Sequence, residues 1–151
     1  MRVGAYGLRG DVQADRKDHG GPDKALYVLD EAEAAHWAAE LGEPVPPGRF
    51  GENLRVAGLP VDDAEIGERW RVGDQLEVEV TGPRTPCATF GRWLGQDGWV
   101  KRFAQHGRPG IYLRVLRPGD VVAGNRVTVV HRPGHGITVA RWFAGNDPDD
   151  A

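Results

Sequence analysis

The chain has 151 residues, of which 40% are hydrophobic and 27% charged, a length and composition that suit one soluble folded domain and are too small for two. Its mild formal net charge of −3 gives no sign of a strongly basic nucleic-acid surface or a polybasic membrane contact, although local arginine clusters can still bind a small anion. No run approaches the ~20 apolar residues that a membrane helix needs, and the first residues lack a signal-peptide core. We therefore expect a cytoplasmic protein without nucleic-acid or membrane partners, built as one domain over residues 1–145 with an acidic tail at 146–151.

The start of the chain predicts a short strand followed by a polar loop. Residues 3–6 suit the strand, and residues 11–24 are mainly polar. Within them the pair Gly20–Gly21 allows a close approach of backbone N–H groups to an anion, with His19 and Lys24 on either side. The alternative is a plain surface turn, and these residues alone leave both interpretations open.

An apolar strand over residues 25–29 leads directly into the clearest helix of the sequence. Asp30 is a good N-cap, and Glu33 stands where the partner of a capping box belongs. Apolar residues then recur at helical spacing as far as Leu41, and Gly42 provides the stop. We predict a helix between these two end signals.

Two turns separate this helix from the β-rich part of the chain. Prolines exclude regular structure over residues 43–48. The next turn, Phe50–Leu54, contains Glu52 and Asn53, whose polar tips precede a short strand over residues 54–56. Taken alone, this segment is a turn that leads into a strand.

The middle of the chain alternates strands with tight turns. Residues 66–74 predict a short strand between two turns, and Gly73–Asp74 is a hairpin signal. In the next strand, Leu76–Val80, every second residue is apolar, so we expect Glu77 and Glu79 to face water. The segment after this strand contains the only cysteine of the chain.

The last third of the chain predicts more strands and two short helical segments. Residues 99–105 have apolar side chains at helical spacing, and Thr138 is a suitable cap for a helical turn over 139–143. Strands are predicted over three ranges, 111–116, 121–123 and 126–130. Short strands joined by tight turns favour a mostly β barrel or sandwich over a layered α/β fold.

The segment around Cys87 is the most informative part of the sequence. A cysteine acts as a nucleophile or a metal ligand only as the thiolate, and Arg84 supplies a positive charge three residues away. Pro83 and Pro86 restrict the backbone on both sides of that arginine. The alternative is a buried apolar cysteine, which is the common role of a single cysteine.

The histidines do not decide the role of this thiol. Four of them are candidate bases for a protease-like pair, namely His19, His106, His131 and His135, and no motif chooses among them. Pro133 prevents His131 and His135 from sharing a helix face, which leaves only a loop for a two-histidine metal site. His36 lies opposite the apolar stripe of its helix, where we expect a solvated residue without a role. A thiolate as the single protein ligand of a metal held mainly by an organic cofactor fits these residues better.

Four motifs occur in order across nearly the whole chain, and a fifth segment extends the series. They are Asp18–Ala25 (DHGGPDKA), Phe50–Leu54 (FGENL), Ile66–Trp70 (IGERW), Pro83–Cys87 (PRTPC) and Gly107–Leu116 (GRPGIYLRVL). The series resembles the MOSC domain family, named for the C-terminal domain of molybdenum cofactor sulfurase. Within that family it is most similar to the small bacterial YiiM-like branch.

The resemblance implies a mostly β, MOSC-type barrel with a few short helices. It implies the pyranopterin molybdenum cofactor rather than pyridoxal phosphate, with Cys87 as the molybdenum ligand and catalytic residue. The residues that it implies for contact with the cofactor are His19, Lys24, Glu52, Asn53 and Arg84. Related proteins reduce N-hydroxylated small molecules with electrons from a redox partner protein. Our first hypothesis is therefore a molybdenum-dependent oxidoreductase that reduces such substrates.

Two departures from that branch keep other functions open. Its members usually carry a strand and basic residues before the segment matching residues 3–11, and many continue into a small helical domain after the segment matching 135–143. Relative to them, we expect this sequence to be a shortened member. The alternative hypothesis is a sulfur or cofactor carrier with a persulfide on Cys87, and the third is a cofactor-free domain in which Cys87 is packed. An exposed barrel edge makes a homodimer a reasonable expectation.

Overall fold

The computed structural model describes residues 2–4, 7–8, 25–84, 95 and 98–145 of the chain. The strands among them are β1 (Arg2–Gly4), β2 (Gly7–Leu8), β3 (Leu26–Asp30), β4 (Leu54–Val56), β5 (Arg69–Val72), β6 (Leu76–Pro83), β7 (Ile111–Arg117), β8 (Gly119–Asp120) and β9 (Val127–His131). The helices are α1 (Glu31–Leu41), α2 (Trp99–His106) and α3 (Val139–Gly145), with a 3₁₀ turn at Val61–Asp63. The prediction of a mostly β fold with a few short helices is confirmed.

A sheet of six strands dominates this part of the chain, in the order β4-β3-β7-β6-β5-β9. Its pairs are antiparallel except that of β3 with β4, which is parallel. The register of β6 against β7 shifts at Glu77/Val78 and again at Val80/Gly82. Such irregularities bend a strand and increase its twist, so the sheet curls into a half-barrel. The second, smaller sheet has the order β2-β1-β8.

The two faces of the large sheet pack against different layers. In β3, Leu26 and Val28 belong to the core inside the curled sheet, whereas Tyr27 belongs to a second core between the sheet and the helices. The ring centroids of Trp37 in α1 and Trp99 in α2 are 4.7 Å apart in this second core. The helices α1 and α2 therefore cover the sheet face that carries Tyr27, whereas Val139 of α3 belongs to the core inside the curled sheet.

Both end signals of α1 act as predicted, but Glu33, the predicted partner in the capping box, contacts another helix. Asp30 accepts a hydrogen bond from Ala32 N at 3.0 Å. Gly42 has a φ of 69°, and its N–H closes the last turn. The Glu33 carboxylate, expected to complete the capping box, lies 2.5 Å from His106 Nε2. It therefore links α1 to the end of α2.

Two local predictions in the β-rich part are wrong. Residues 121–123 do not form a strand, because the Asn125 side chain accepts a hydrogen bond from Val122 N at 2.8 Å and closes a turn there. Glu79 does not face open water either. It pairs with Arg69 on β5 and with Arg114 on β7, so the cross-strand charges hold it against the sheet.

Candidate functional site

The exit from β6 is the centre of the candidate site. The strand ends at Pro83, and Arg84 N then donates a hydrogen bond to Gly110 O at 3.1 Å. The Arg84 guanidinium donates to Phe50 O at 2.6 Å, and its central carbon lies 4.7 Å from the centroid of the Tyr27 ring. The main chain and the side chain of Arg84 are thus fixed by different parts of the fold.

The turn that contains Glu52 and Asn53 is tied to β3. Asn53 N donates to Tyr27 O at 2.9 Å, and Tyr27 N donates to Asn53 Oδ1 at 2.8 Å. Glu52 accepts hydrogen bonds from Phe50 N at 3.1 Å and from Arg55 Nη2 at 2.6 Å. These contacts hold the turn in place. Direct contact of Glu52 and Asn53 with a cofactor stays a prediction.

Tyr27 is the residue around which these groups meet, and sequence reasoning missed it. It touches the Asn53 turn through its main chain and the Arg84 guanidinium through its ring. Burial raises the pKa of the Tyr27 phenol well above its ordinary value, although the nearby Arg84 charge lowers it. The phenol therefore stays protonated and donates to Pro109 O at 2.7 Å. The alternation within β3 was the available signal, since it turns this tyrosine toward the helical face.

A second missed residue, Asp62 in the 3₁₀ turn, lies next to the loop Gly107–Gly110, which we call the 107–110 loop. Asp62 is fully buried, and its Oδ1 accepts a hydrogen bond from Gly110 N at 2.8 Å. Its Oδ2 has no hydrogen-bond partner among the described residues. Burial raises the pKa of Asp62 to about 6, although the Gly110 N–H and the Arg108 charge lower it. The carboxyl is therefore held in a site that favours its neutral form.

The 107–110 loop requires a glycine at position 110. The φ of Gly110 is +88°, in the left-handed region. A Cβ at this position would lie 2.5 Å from Tyr27 Cε1 and 2.7 Å from Val28 O. The loop can approach β3 this closely only because the side chain is absent.

An open cleft with a volume of about 350 Å³ lies beside the exit from β6. Its lining includes Thr81, Gly82, Pro83, Tyr112 and Arg114. Thr81 Oγ1 donates to Tyr112 O at 3.1 Å, and Arg114 pairs with Glu79 at one end of the cleft. The volume lies in the range of small-molecule sites, and the lining mixes apolar surface with a few polar groups, as such sites do.

The described side of the site fits a polar organic group that carries a phosphate. Arg114 lines the cleft, and Arg84 follows the last residue of β6; the fork of a guanidinium suits phosphate oxygens. A Cβ added at Gly82 would meet nothing within 4 Å, which leaves open space along the strand. The Glu52 carboxylate is already paired with Arg55 and fits the role of a loop anchor better.

Three of the predicted site residues, His19, Lys24 and Cys87, lie outside the described residues. Their roles in binding the cofactor and the metal stay predictions. The described residues that were assigned to the same site, Arg84 and Asn53, do come together through Tyr27.

Three of the four described histidines, His36, His106 and His135, contact other parts of the fold, and His131 is exposed. His36 is less exposed than predicted, since its ring is half-buried and stacks on His106 with 4.0 Å between ring centroids. His135 Nδ1 accepts from Ile137 N at 2.9 Å, which leaves Nε2 to donate to Ile66 O at 2.8 Å.

In the part of the chain that the structure describes, no three His, Cys, Asp or Glu side chains are grouped to hold a metal ion. None of the helices in that part is long and apolar enough to cross a membrane.

Fold and site together define a mostly β domain in which β6, the longest strand among the described residues, borders a cleft that contains Arg114 and leads toward the segment with the single cysteine. A family model described as MOSC domain matches residues 15–128. The chain belongs to the MOSC domain family, as the motif series predicted.

Individual relatives place the chain within this family. It is 39% identical to YflK of Bacillus subtilis over 132 residues, which cover 87% of this chain and 59% of YflK. A protein of Gibberella moniliformis named reductase is 31% identical over 133 residues, covering 85% of this chain and 23% of that protein. The crystal structure of YiiM from Geobacillus stearothermophilus aligns with a TM-score of 0.80 and 28% identity, covering 95% of this chain and 66% of that one. The expected likeness to YiiM is confirmed, and the chain spans three fifths or less of these curated relatives.

Proposed function

We propose that this chain binds the pyranopterin molybdenum cofactor and reduces N-hydroxylated small molecules, with Cys87 as the protein ligand of molybdenum. Membership of the MOSC family and likeness to a relative named reductase support this function. The observation that carries it is the meeting of Arg84 and Asn53 on Tyr27, at the start of the cysteine segment. Residues far apart in the chain that share one predicted role are neighbours in the fold.

The residues of the chain would divide the work of binding. Arg114 would hold the anionic part of the cofactor in the cleft, where Thr81 would add a hydroxyl, and Arg84 would contribute from the end of β6. His19 and Lys24 would contribute from the glycine-containing loop. When bound, the cofactor would supply the two-electron chemistry of the reaction R–NHOH + 2 e⁻ + 2 H⁺ → R–NH₂ + H₂O, with electrons from a redox partner protein.

Arg84 has a second role in this proposal, as the cation near the thiol. Cys87 follows three residues later, so covalent geometry keeps the two Cα atoms within roughly 11 Å. A fixed positive charge at that range favours the thiolate, which is the form that binds a metal. The contacts of Arg84 with Gly110 and Phe50 keep this charge from moving with solvent.

Metal analysis of purified protein tests the proposal directly. Expression in a host that makes the cofactor should give near-equimolar molybdenum in the wild type and a loss of it in Cys87→Ser, because the thiolate is the protein's bond to the metal. His131→Ala, an exposed residue at the end of β9, is the matched control and should keep the metal. Wild-type protein without molybdenum, or equal molybdenum in Cys87→Ser, contradicts the proposal.

Intact-mass measurement on the same samples separates this function from the carrier function. A wild-type mass that is heavier by one sulfur, with the increment lost on mild reduction and absent in Cys87→Ser, would favour the persulfide carrier over the reductase as the function of the protein.

The proposal also includes a cytoplasmic location and a homodimer formed at an exposed sheet edge. Val130 is 45% exposed on the edge strand β9, and sedimentation analysis measures whether chains pair there.

A further inference from the structure

The 107–110 loop is fastened at three successive residues. Arg108 Nε pairs with Glu33 Oε1 at 3.0 Å, and Pro109 O accepts the hydrogen bond of the Tyr27 phenol. Gly110 is held on both sides: its N–H donates to Asp62 Oδ1, and its carbonyl accepts from Arg84 N. The last of these contacts connects the loop to the segment that continues to Cys87.

Gly110 needs this external support more than another residue would. Glycine has the widest conformational freedom of all residues, and Gly110 adopts a φ of +88°. Without the bond from its N–H to Asp62, its peptide groups could rotate and the carbonyl that binds Arg84 N would turn away. The carboxyl of Asp62 therefore acts on the position of Arg84 through one residue, Gly110, whose two peptide groups it helps to orient.

The acceptor that holds Gly110 N is a buried carboxyl, which is costly for the protein to keep. A carbonyl or hydroxyl oxygen would accept the Gly110 N–H equally well, whereas a buried carboxylate with an unpaired oxygen is unfavourable. The charged groups that act on Asp62 are Arg108, Glu33 and Asp30, and two of these three are acidic. Residues kept in such unfavourable settings cluster at functional sites.

We propose that Asp62 is a positioning residue for the cysteine segment, which fixes the main chain of Arg84 through Gly110 and so sets the Arg84 charge relative to Cys87. The inference rests on the proposed function in one respect, that Cys87 is the functional thiol. It assigns Asp62 no contact with substrate or cofactor.

Because Cys87 is the only cysteine, its reaction with a thiol reagent reports on one site. The full chain is purified from a host that does not make the molybdenum cofactor, and the rate constant with Ellman's reagent is measured from pH 5 to 10. The variants are Asp62→Ala, which removes the acceptor for Gly110 N, and Asp62→Asn, which keeps it. Val72→Ala is the matched control, since Val72 is buried beside Leu76, roughly 23 Å along β6 from Pro83.

We expect Asp62→Ala to differ from the wild type in the pKa of the Cys87 thiol, which is taken from these profiles. In Asp62→Ala it should move up toward ~8.5, the value of a free cysteine, so that the rate constant at pH 7 falls by roughly threefold or more. Asp62→Asn and Val72→Ala should keep the wild-type pKa. In an Arg84→Gln background, Asp62→Ala should cause no further change, because its effect passes through Arg84. Asp62→Leu, which fills the space of the aspartate but has no acceptor atom, carries the same expectation as Asp62→Ala where the alanine variant does not fold.

Three results would overturn the inference: an unchanged thiol pKa in Asp62→Ala, an equal change in Val72→Ala, or an additive change in the Arg84→Gln background. The first means that Asp62 does not reach the thiol, the second that lost stability explains the effect, and the third that Asp62 acts independently of Arg84. Since the assay uses protein without the cofactor, failure of molybdenum binding and failure of the positioning role give separate results.

Discussion

The buried carboxylates of Glu65, Glu68 and Asp62 each hold a loop, and they differ in how completely their oxygens are bonded. Glu65 accepts from Gly134 N at 2.6 Å and Gly136 N at 3.1 Å, and Glu68 accepts from Trp70 Nε1 at 2.7 Å and Arg132 Nε at 2.9 Å. We call this pair the closed carboxylates, because every oxygen has a partner. Asp62 is the open carboxylate, because its Oδ2 has no partner among the described residues.

The difference separates a structural role from a functional candidate. The closed carboxylates fix the loop from Arg132 to Gly136 and have no oxygen left for another task. The open carboxylate holds Gly110 with one oxygen and keeps the other unpaired in a site that raises its pKa to about 6. Stability experiments on the two kinds of carboxylate should therefore give opposite results at neutral pH.

Removing a closed carboxylate should have the largest effect. In Glu68→Ala the buried Trp70 indole N–H and the Arg132 guanidinium lose their acceptor, and a cavity remains where a side chain with 2% exposure was packed. We expect a loss of about 4 kcal/mol in the free energy of unfolding, measured by urea denaturation. Glu68→Gln keeps one carbonyl acceptor and should lose about half as much. If Glu68→Ala lowers the free energy of unfolding by less than about 1 kcal/mol, the structural role assigned to the closed carboxylates is wrong.

Replacing the open carboxylate by a neutral amide should instead stabilise the protein relative to the wild type, and this stabilisation should grow as the pH rises. The unfolded chain loses the Asp62 proton near its ordinary pKa of 3.8 and the folded chain near pH 6, so the folded state binds more protons between these values. The free energy of unfolding of the wild type should therefore fall by up to about 3 kcal/mol from pH 4 to pH 7 through this group.

The comparison of Asp62→Asn with the wild type isolates this contribution, because the other titrating groups are shared. The stability of the variant relative to the wild type should rise across the same pH window and then stay level. Glu65→Gln, a substitution in a closed carboxylate, should show no such rise. If the stability of Asp62→Asn relative to the wild type does not depend on pH, the distinction between the open carboxylate and the closed carboxylates is wrong.

A substitution in the loop that Asp62 holds should give the next smaller effect. In Gly110→Ala the new Cβ would overlap Tyr27 Cε1 at 2.5 Å and Val28 O at 2.7 Å, and a backbone oxygen in a sheet cannot move away cheaply. Gly124→Ala is the matched control, since Gly124 also has a positive φ, of +92°, with nothing within 4 Å. We expect Gly110→Ala to lose about 2 kcal/mol more than the control in thermal or urea unfolding. Equal losses would mean that the loop does not need its close approach to β3.

What the sequence predicts well in this fold is what neighbouring residues determine. The ends of α1 follow from Asp30 and Gly42, which lie at the helix itself, and the alternation of β6 follows from the period of a strand. The strand expected over 121–123 failed for a local reason as well, because the Asn125 side chain competes for the backbone.

The site is only partly predictable, because its contacts join distant parts of the chain. The motif series selected Asn53 and Arg84, and the fold brings both to Tyr27. Tyr27 itself is 26 residues from Asn53, and Asp62 is 48 residues from Gly110, so no local pattern marks them. Burial decides which of many acidic residues becomes the open carboxylate, and burial is a property of the whole packing.

The exposed ion pair between α1 and α2 should give the smallest effect and serves as the reference for all the charges above. Glu40 and Arg102 lie 3.4 Å apart with side chains 51% and 40% exposed. Glu40→Gln should cost no more than about 0.5 kcal/mol and less at high salt, because water and ions already screen the pair. Glu40 is the better partner to change, since Arg102 also lies over the Trp37 ring. Urea denaturation at low and high salt measures the effect. A loss above about 1 kcal/mol would show that exposed charges count as much as buried ones here, and the contrast between open and closed carboxylates would then lose its physical basis.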